Sequence, residues 1–240
     1  DRQDQCFSAC AFVEDARTGL PNELLERWVF LSEVSDGPHG KVFKARNRSQ
    51  TGGEEEFVAI RIRVKSLGQV MHIPLHRAAA IIREEVVKRH SGCCTLWRRL
   101  LSCWFKRLRA FHSPCIVSYF ALYDNDEFFV EVTEWLDGGS LTTYLASRGE
   151  QLDERTACQI FWHLVMALQY IHMRKLLHRN VRTAQVMLRD RQNPEDSKLG
   201  DLWYLERTAK MGGVIIDRGV PVDWATVAPE VFKYGHWSEK

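Results

Sequence analysis

The segment 178–188 holds most of the side chains through which this chain could do chemistry. It reads HRNVRTAQVML, so a histidine, two arginines, an asparagine and a glutamine fall within eight residues. The Asn180 amide can hydrogen-bond a hydroxyl group, but it cannot take the proton as a general base does. Asp201 follows in the sequence Lys-Leu-Gly-Asp, and its carboxylate is the kind of hard oxygen ligand that Mg²⁺ prefers. The segment therefore lacks a general base at its asparagine.

The elements that position these residues belong to a globular protein. Apolar residues make up 45% and charged residues 27% of the 240 residues, which argues against disorder. The net charge of +2 is too near neutral to indicate nucleic acid as a partner. Seven cysteines without regular spacing favour free thiols in a reducing compartment, so we expect a cytoplasmic protein or the cytoplasmic part of a larger one. No apolar run approaches the ~18–20 residues that span a bilayer.

The predicted elements run from strands to helices along the chain. Apolar runs bounded by Gly, Asn and Asp predict the strands, two of which form a hairpin around residues 124–126. After residues 137–139, apolar residues recur at helical spacing, with Asp153 as the predicted N-cap. This order predicts an α+β fold in two lobes with a hinge near residues 134–140. The strands are predicted at residues 30–34, 41–46, 57–64, 116–123 and 128–134, and the helix face comprises Ala157, Ile160, Phe161, Leu164, Leu168 and Ile171.

Six short motifs follow one another along the chain, and their order and spacing are more informative than any one of them alone. They are S-x-G-x-x-G-x-V at residues 35–42, FVAIR at 57–61, TEWL with GGSL at 133–141, HRN at 178–180, DLW at 201–203 and APE at 228–230. In this order the chain resembles the protein kinase family over residues 30–240, and its TEWL segment resembles the hinge of tyrosine-kinase-like members. The resemblance is most specific over residues 157–230.

The resemblance implies a bilobal protein-kinase-like fold. Its N-lobe would be an antiparallel β-sheet with one main helix over residues 27–136, preceded by a lead-in at residues 1–26. Its C-lobe would be mainly helical over residues 137–240, with a nucleotide cleft between the lobes. Because the chain ends ten residues after Glu230, we expect this C-lobe to be incomplete and the domain to be truncated after the APE motif.

The resemblance also assigns site residues, each by its position in a motif. The metal positions are Asp201 and, weakly, Gln185. The catalytic-loop positions are Arg179, Asn180, Arg182 and Gln185, with Asn180 at the position of the base. The nucleotide positions are Gly37, Gly40, Val42, Ala59, Arg61, Thr133, Glu134, Leu136 and Met187.

Several of these positions depart from the family pattern. Asn180 stands where the family has the aspartate base, and Gln185, which is one methylene longer than asparagine, stands at a metal position. Arg61 replaces the strand lysine, and its planar guanidinium fits a phosphate site differently. Pro38 has no N–H to offer a phosphate, and Trp203 replaces a glycine. We therefore expect ATP and Mg²⁺ binding to be weak or absent.

Two functions remain open at this point. The first is a pseudokinase that acts as a signalling scaffold or allosteric regulator through protein partners, with weak or absent phosphoryl transfer. The second is an atypical active protein kinase that transfers the ATP γ-phosphate to protein hydroxyls. Arg179 would then bind a phosphate on Tyr204, Thr208 or Thr226.

A basic-aromatic insert at about residues 86–111 obscures one further position. In the family the strand cation pairs with a glutamate on the next helix, and Glu84 and Glu85 are both candidates. Residues 97–111 (WRRLLSCWFKRLRAF) contain five basic side chains and no acid. They predict either a helix packed on the N-lobe or an amphipathic helix on an anionic membrane or in a partner groove.

Overall fold

The computed structural model describes residues 20–37, 40–49, 56–64, 109–125, 127–149, 151–202, 205–207, 215–216, 226, 228–229 and 236–237. These residues divide into two compact units. The first consists of the described parts of Asp1–Ala110 and Ser118–Trp135, and the second of those of Phe111–Val117 and Leu136–Lys240.

The first unit is built on a five-stranded antiparallel sheet. Its strands are β1 (Trp28–Gly37), β2 (Gly40–Asn47), β3 (Phe57–Val64), β4 (Tyr119–Asp124) and β5 (Phe128–Glu134), in the order β1-β2-β3-β5-β4. In β3 every second side chain is buried, because successive side chains of a strand point to opposite faces of the sheet. The predicted hairpin around residues 124–126 is confirmed as the β4–β5 pair.

One face of this sheet carries the apolar core of the first unit. A short helix, α1 (Asn22–Arg27), precedes β1 and adds Leu24 to this core, together with Leu20. The described end of the predicted lead-in therefore packs with the sheet. The strands contribute Trp28, Phe43, Ala45, Val58, Ile60, Ile62, Ala121, Phe128, Val130 and Val132.

Gly40, at the start of β2, is required by the packing of the sheet itself. Its φ is 98°, and a Cβ at this position would lie 2.4 Å from the backbone oxygen of Ile62. Gly149 has a similar positive φ of 70°, but a Cβ there would meet nothing within 4 Å. Comparing alanine substitutions at the two glycines therefore separates the energetic cost of a steric clash from the cost of a left-handed backbone conformation.

We expect Gly40→Ala to destabilise the protein by about 3 kcal/mol, the sum of a left-handed alanine and an overpacked contact with backbone. Gly149→Ala, the matched control, should cost about 1 kcal/mol because only the backbone term applies. Urea unfolding of both variants measures the difference. Equal losses would show that the close approach to Ile62 costs nothing.

The second unit contains the longer helices. They are α2 (Leu141–Ser147) and α3 (Glu154–His172). The predicted N-cap is confirmed, because Asp153 Oδ1 accepts a hydrogen bond from the Thr156 N–H at 2.9 Å. This bond, with the one from the Thr156 hydroxyl, lowers the pKa of Asp153. Of the predicted helix face, Ile160 and Ile171 are buried, whereas Phe161 is 65% exposed.

Seven short strands complete the described part of the second unit. They are β6 (Gly139–Ser140), β7 (Leu176–Leu177), β8 (Val186–Leu188), β9 (Ser197–Leu199), β10 (Glu206–Arg207), β11 (Ile215–Ile216) and β12 (His236–Trp237). The β6, β8 and β9 strands form one small sheet, and β7 pairs with β10. A 3₁₀ turn at Thr183–Gln185 leads into β8. The predicted α+β class is confirmed, since a strand unit and a helix-rich unit follow in the expected order.

Within the described ranges, no helix is both long enough and apolar enough to cross a membrane.

Candidate functional site

His178 fixes the backbone of the predicted catalytic loop. It directly follows β7 and is only 2% exposed. Its Nδ1 atom accepts a hydrogen bond from the Asn180 N–H at 3.2 Å, and its Nε2 atom lies 2.9 Å from the backbone oxygen of Gly200. Because a backbone N–H can only donate, Nδ1 must be unprotonated and Nε2–H must donate to Gly200. The imidazole thus joins the loop to the residue before Asp201 in its neutral form.

Burial lowers the pKa of His178, and the bond to Gly200 and the nearby Asp201 carboxylate offset this only in part. The unfolded chain takes up this proton near pH ~6.5, whereas the folded chain resists it. The contribution of His178 to the free energy of unfolding is therefore fully present above this pH. As the pH falls below it, this contribution decreases by up to about 1.4 kcal/mol per pH unit.

The non-titrating variant His178→Gln is expected to remove this part of the pH dependence. Urea unfolding of both proteins at pH values on either side of ~6.5 measures it, and other groups cancel in the difference. Identical slopes in wild type and variant would mean that His178 titrates normally in the folded protein.

Asn180 and Asp201 contact each other directly. The Asn180 Nδ2 atom donates a hydrogen bond of 2.6 Å to Asp201 Oδ2. Asn180 is buried, and Asp201 and Arg179 both have positive φ values, 55° and 64°. Residues held in the left-handed region cost energy and concentrate at functional sites. The structure therefore joins the predicted base position to the predicted metal position by a short, direct hydrogen bond.

The other predicted residues of this unit surround that pair. Gln185 is buried at the end of the 3₁₀ turn. Its backbone oxygen accepts a hydrogen bond from the Gly200 N–H at 2.8 Å, and its backbone N–H donates to the backbone oxygen of Arg182 at 2.9 Å. Met187 lies on β8, opposite Lys198 of β9. The turn, β8 and β9 thus hold the loop and Asp201 in a fixed relation.

Mg²⁺ is the metal that the family resemblance implies. The donors present are one carboxylate, from Asp201, and one amide, from Gln185, while Oδ2 of Asp201 already accepts a bond from Asn180. Among the described residues there is no group of three or more His, Cys, Asp or Glu side chains able to hold a metal. Because Mg²⁺ in proteins is usually held by one or two carboxylates together with waters and substrate phosphates, Asp201 is the residue here that would hold it, while Gln185, one methylene longer than the family's asparagine, departs from the family's second ligand.

In the first unit, the strand register places four of the predicted nucleotide residues in two neighbouring cross-strand pairs. Val42 of β2 lies opposite Arg61 of β3. Ala59 of β3 lies opposite Thr133 of β5, one side chain further along the same face. Glu134 ends β5, and its Oε1 accepts a hydrogen bond of 2.7 Å from the Ser118 N–H. Leu136 lies in the second unit and is buried.

Glu131 is a residue that the sequence analysis missed. It lies directly opposite Arg61 in the β3–β5 register, and its carboxylate is 3% exposed. Its Oε2 atom lies 3.0 Å from Arg63 Nη2 and 3.9 Å from Arg61 Nη1. The available signal was a glutamate inside the apolar run FFVEV, because a charged residue is rarely fully buried unless it is paired.

Several predictions fall outside the described residues. These are Pro38, Glu84, Glu85, residues 86–108 of the insert, Trp203, Tyr204, Thr208 and Glu230. Of the two predicted glycines, Gly37 is the last residue of β1 and Gly40 the first residue of β2.

Comparison with known proteins identifies the family. Residues 98–240 match the family model for protein tyrosine and serine/threonine kinases. A probable serine/threonine-protein kinase zyg-1 of Caenorhabditis briggsae is 31% identical over 122 residues, or 50% of this chain and 16% of that protein. The human NUAK family SNF1-like kinase 2 is 25% identical over 70% of this chain and 22% of its own length.

Serine/threonine-protein kinase 1 of Arabidopsis thaliana is 23% identical over 93% of this chain and 23% of its own length. The chain thus spans about a fifth of the length of these relatives. The matched residues 98–240 make up more than half of the chain, which therefore belongs to the protein tyrosine and serine/threonine kinase family.

Proposed function

We propose that this kinase-family domain is a pseudokinase. It keeps the kinase frame and a nucleotide site, and it acts through contacts with other signalling proteins rather than through phosphoryl transfer. The tyrosine-kinase-like subgroup and a cytoplasmic location are part of the same proposal. The TEWL segment supports the subgroup, and the seven cysteines without regular spacing support the location.

The observation that carries the proposal is the 2.6 Å bond between Asn180 and Asp201. In an active kinase these two positions are both carboxylates, one as base and one as metal ligand. Two neighbouring carboxylates repel each other unless a cation or a proton intervenes. The asparagine amide instead donates directly to Asp201 Oδ2, so the contact between these two positions needs no intervening cation or proton.

The chemistry of Asn180 leads to the same conclusion. An amide does not accept the proton of a substrate hydroxyl, and loss of a general base typically costs about 10²–10⁴-fold in rate. Gln185 and Arg61 alter the metal and phosphate positions, on which most of the positioning in phosphoryl transfer depends. Because these residues act as one unit, their effects need not add.

A transfer assay with ATP labelled at the γ-phosphate tests the proposal. We expect the wild-type chain, with Mg²⁺ or Mn²⁺ and a generic acceptor protein, to incorporate no more label than Asp201→Ala. Incorporation by the wild type that Asp201→Ala abolishes would contradict the proposal and support an active kinase.

The alternative, an atypical active kinase, is favoured by one set of observations. His178 holds Gly200 in place, and Asp201 and Arg179 both adopt left-handed backbone conformations, so the frame around the missing base is intact. Thr226, one of the hydroxyls that Arg179 would bind once phosphorylated, is exposed. Mass spectrometry after incubation with ATP distinguishes the two functions, because only an active kinase would phosphorylate Thr226 or another hydroxyl of its own chain.

A further inference from the structure

Glu131 is a buried carboxylate placed between two arginines of the neighbouring strand. It is 3% exposed, whereas the side chains of Arg63 and Arg61 are 14% and 33% exposed. Among the described residues, none donates a well-aligned hydrogen bond to its Oε2 atom, although Arg63 Nη2 is only 3.0 Å away. The carboxylate is therefore held by the attraction of two nearby positive charges rather than by hydrogen-bond geometry.

The sheet itself enforces this arrangement. Arg61 and Glu131 are paired in the β3–β5 ladder, and Arg63 is two residues further along β3 on the same face. The ladder runs without a bulge from Val58 to Val64, and a slip of one residue would turn the side chains to the other face. Glu131 thus meets the strand cation through backbone pairing alone.

The two arginines play different parts. Arg63 is the closer and more buried of the two, so it neutralises most of the Glu131 charge. Arg61 lies 3.9 Å away with a third of its side chain exposed, so its guanidinium is oriented by Glu131 and still accessible to an anion.

We propose that Glu131 is a positioning residue for a phosphate-binding Arg61: it holds the guanidinium toward the phosphates of a bound nucleotide from within the sheet. The inference rests on the proposed nucleotide site. It gives the strand cation a counter-ion that does not depend on the position of any helix. A phosphate contact held in this way also needs no metal ion.

Nucleotide affinities of a variant set test this inference. The set comprises Arg61→Met, Glu131→Gln, the double variant, and Arg46→Met as a matched charge change at an exposed position of β2. Each variant is titrated calorimetrically with ATP and with adenosine, both in EDTA. Glu131→Asp, which keeps the charge but withdraws it by one methylene, replaces Glu131→Gln if the latter does not fold.

We expect Glu131→Gln and Arg61→Met each to weaken ATP binding about tenfold, the size of one charge-assisted contact. The double variant should be no weaker than Arg61→Met alone, because Glu131 acts through Arg61. Adenosine binding should be unchanged throughout, and Arg46→Met should behave as wild type. This contrast between ATP and adenosine is something that a purely structural role of Glu131 would not produce.

Three results would overturn the inference. Equal weakening of ATP and adenosine by Glu131→Gln would make the residue merely structural. Tighter ATP binding in that variant would mean that the carboxylate repels phosphate. A wild type that binds neither compound would reject the nucleotide site itself, and the inference with it, whereas the first two results reject the inference alone.

Discussion

Glu131→Gln is expected to lower the free energy of unfolding by about 3 kcal/mol, because removing one member of a buried ion pair leaves the other charge uncompensated. The affected charge is Arg63, which is 14% exposed and lies 3.0 Å from Glu131. Arg61 contributes less to this loss, since solvent screens its more exposed guanidinium. Urea unfolding at neutral pH measures the change.

Removing both charges together provides the control. In the double variant Arg63→Met/Glu131→Met, no charge is left buried, and apolar side chains of similar size often restore or exceed the stability of a buried ion pair. We expect it to recover most of the loss. If the double variant were less stable than Glu131→Gln, the Arg63 pair would not be the cause of the destabilisation.

Asn180→Asp is expected to destabilise the metal-free protein by about 2 kcal/mol, or about 4–8 °C in melting temperature. The variant exchanges the 2.6 Å amide–carboxylate bond for two carboxylates at the same distance, which repel each other in a largely buried site. Millimolar Mg²⁺ should restore part of the loss, because a cation between the carboxylates replaces the amide. Thermal melts with Mg²⁺ and with EDTA measure both effects.

The wild type and Asn180→Ala serve as references for that measurement. Neither introduces a second carboxylate, so neither should gain stability from Mg²⁺. We also expect Asn180→Asp to recover little phosphoryl transfer, since Gln185 and Arg61 remain. A variant that is as stable as wild type in EDTA would show that the bond between Asn180 and Asp201 contributes nothing to the fold.

The local elements were predictable from the sequence because their signals are local. The strand at residues 57–64 and the Asp153 cap depend on neighbours within a few residues, and both appear as predicted. Phe161 belongs to the predicted apolar helix face but is exposed, because periodicity gives the direction of a side chain and not what lies against it. Strand β1 is longer than predicted because pairing with β2 extends it from Trp28 to Gly37.

The positions of the site residues were predictable only where those residues belong to a sequence motif. The order of the motifs located Asn180, Gln185 and Asp201, but no motif states that an asparagine amide would bond to the metal-position carboxylate. Glu131 was missed because its meeting with Arg61 depends on the β3–β5 register, a long-range property. The site assignments themselves stay predictions until binding is measured.

The most direct test of the account is the affinity of the wild-type chain for ATP, measured by calorimetry in the presence of Mg²⁺ and again in EDTA. Because Asn180 already donates to Asp201 and the sheet places the Arg61 guanidinium beside Glu131, we predict equal affinities in the two conditions. ATP binding that requires Mg²⁺ would contradict the account and favour the alternative of an active kinase.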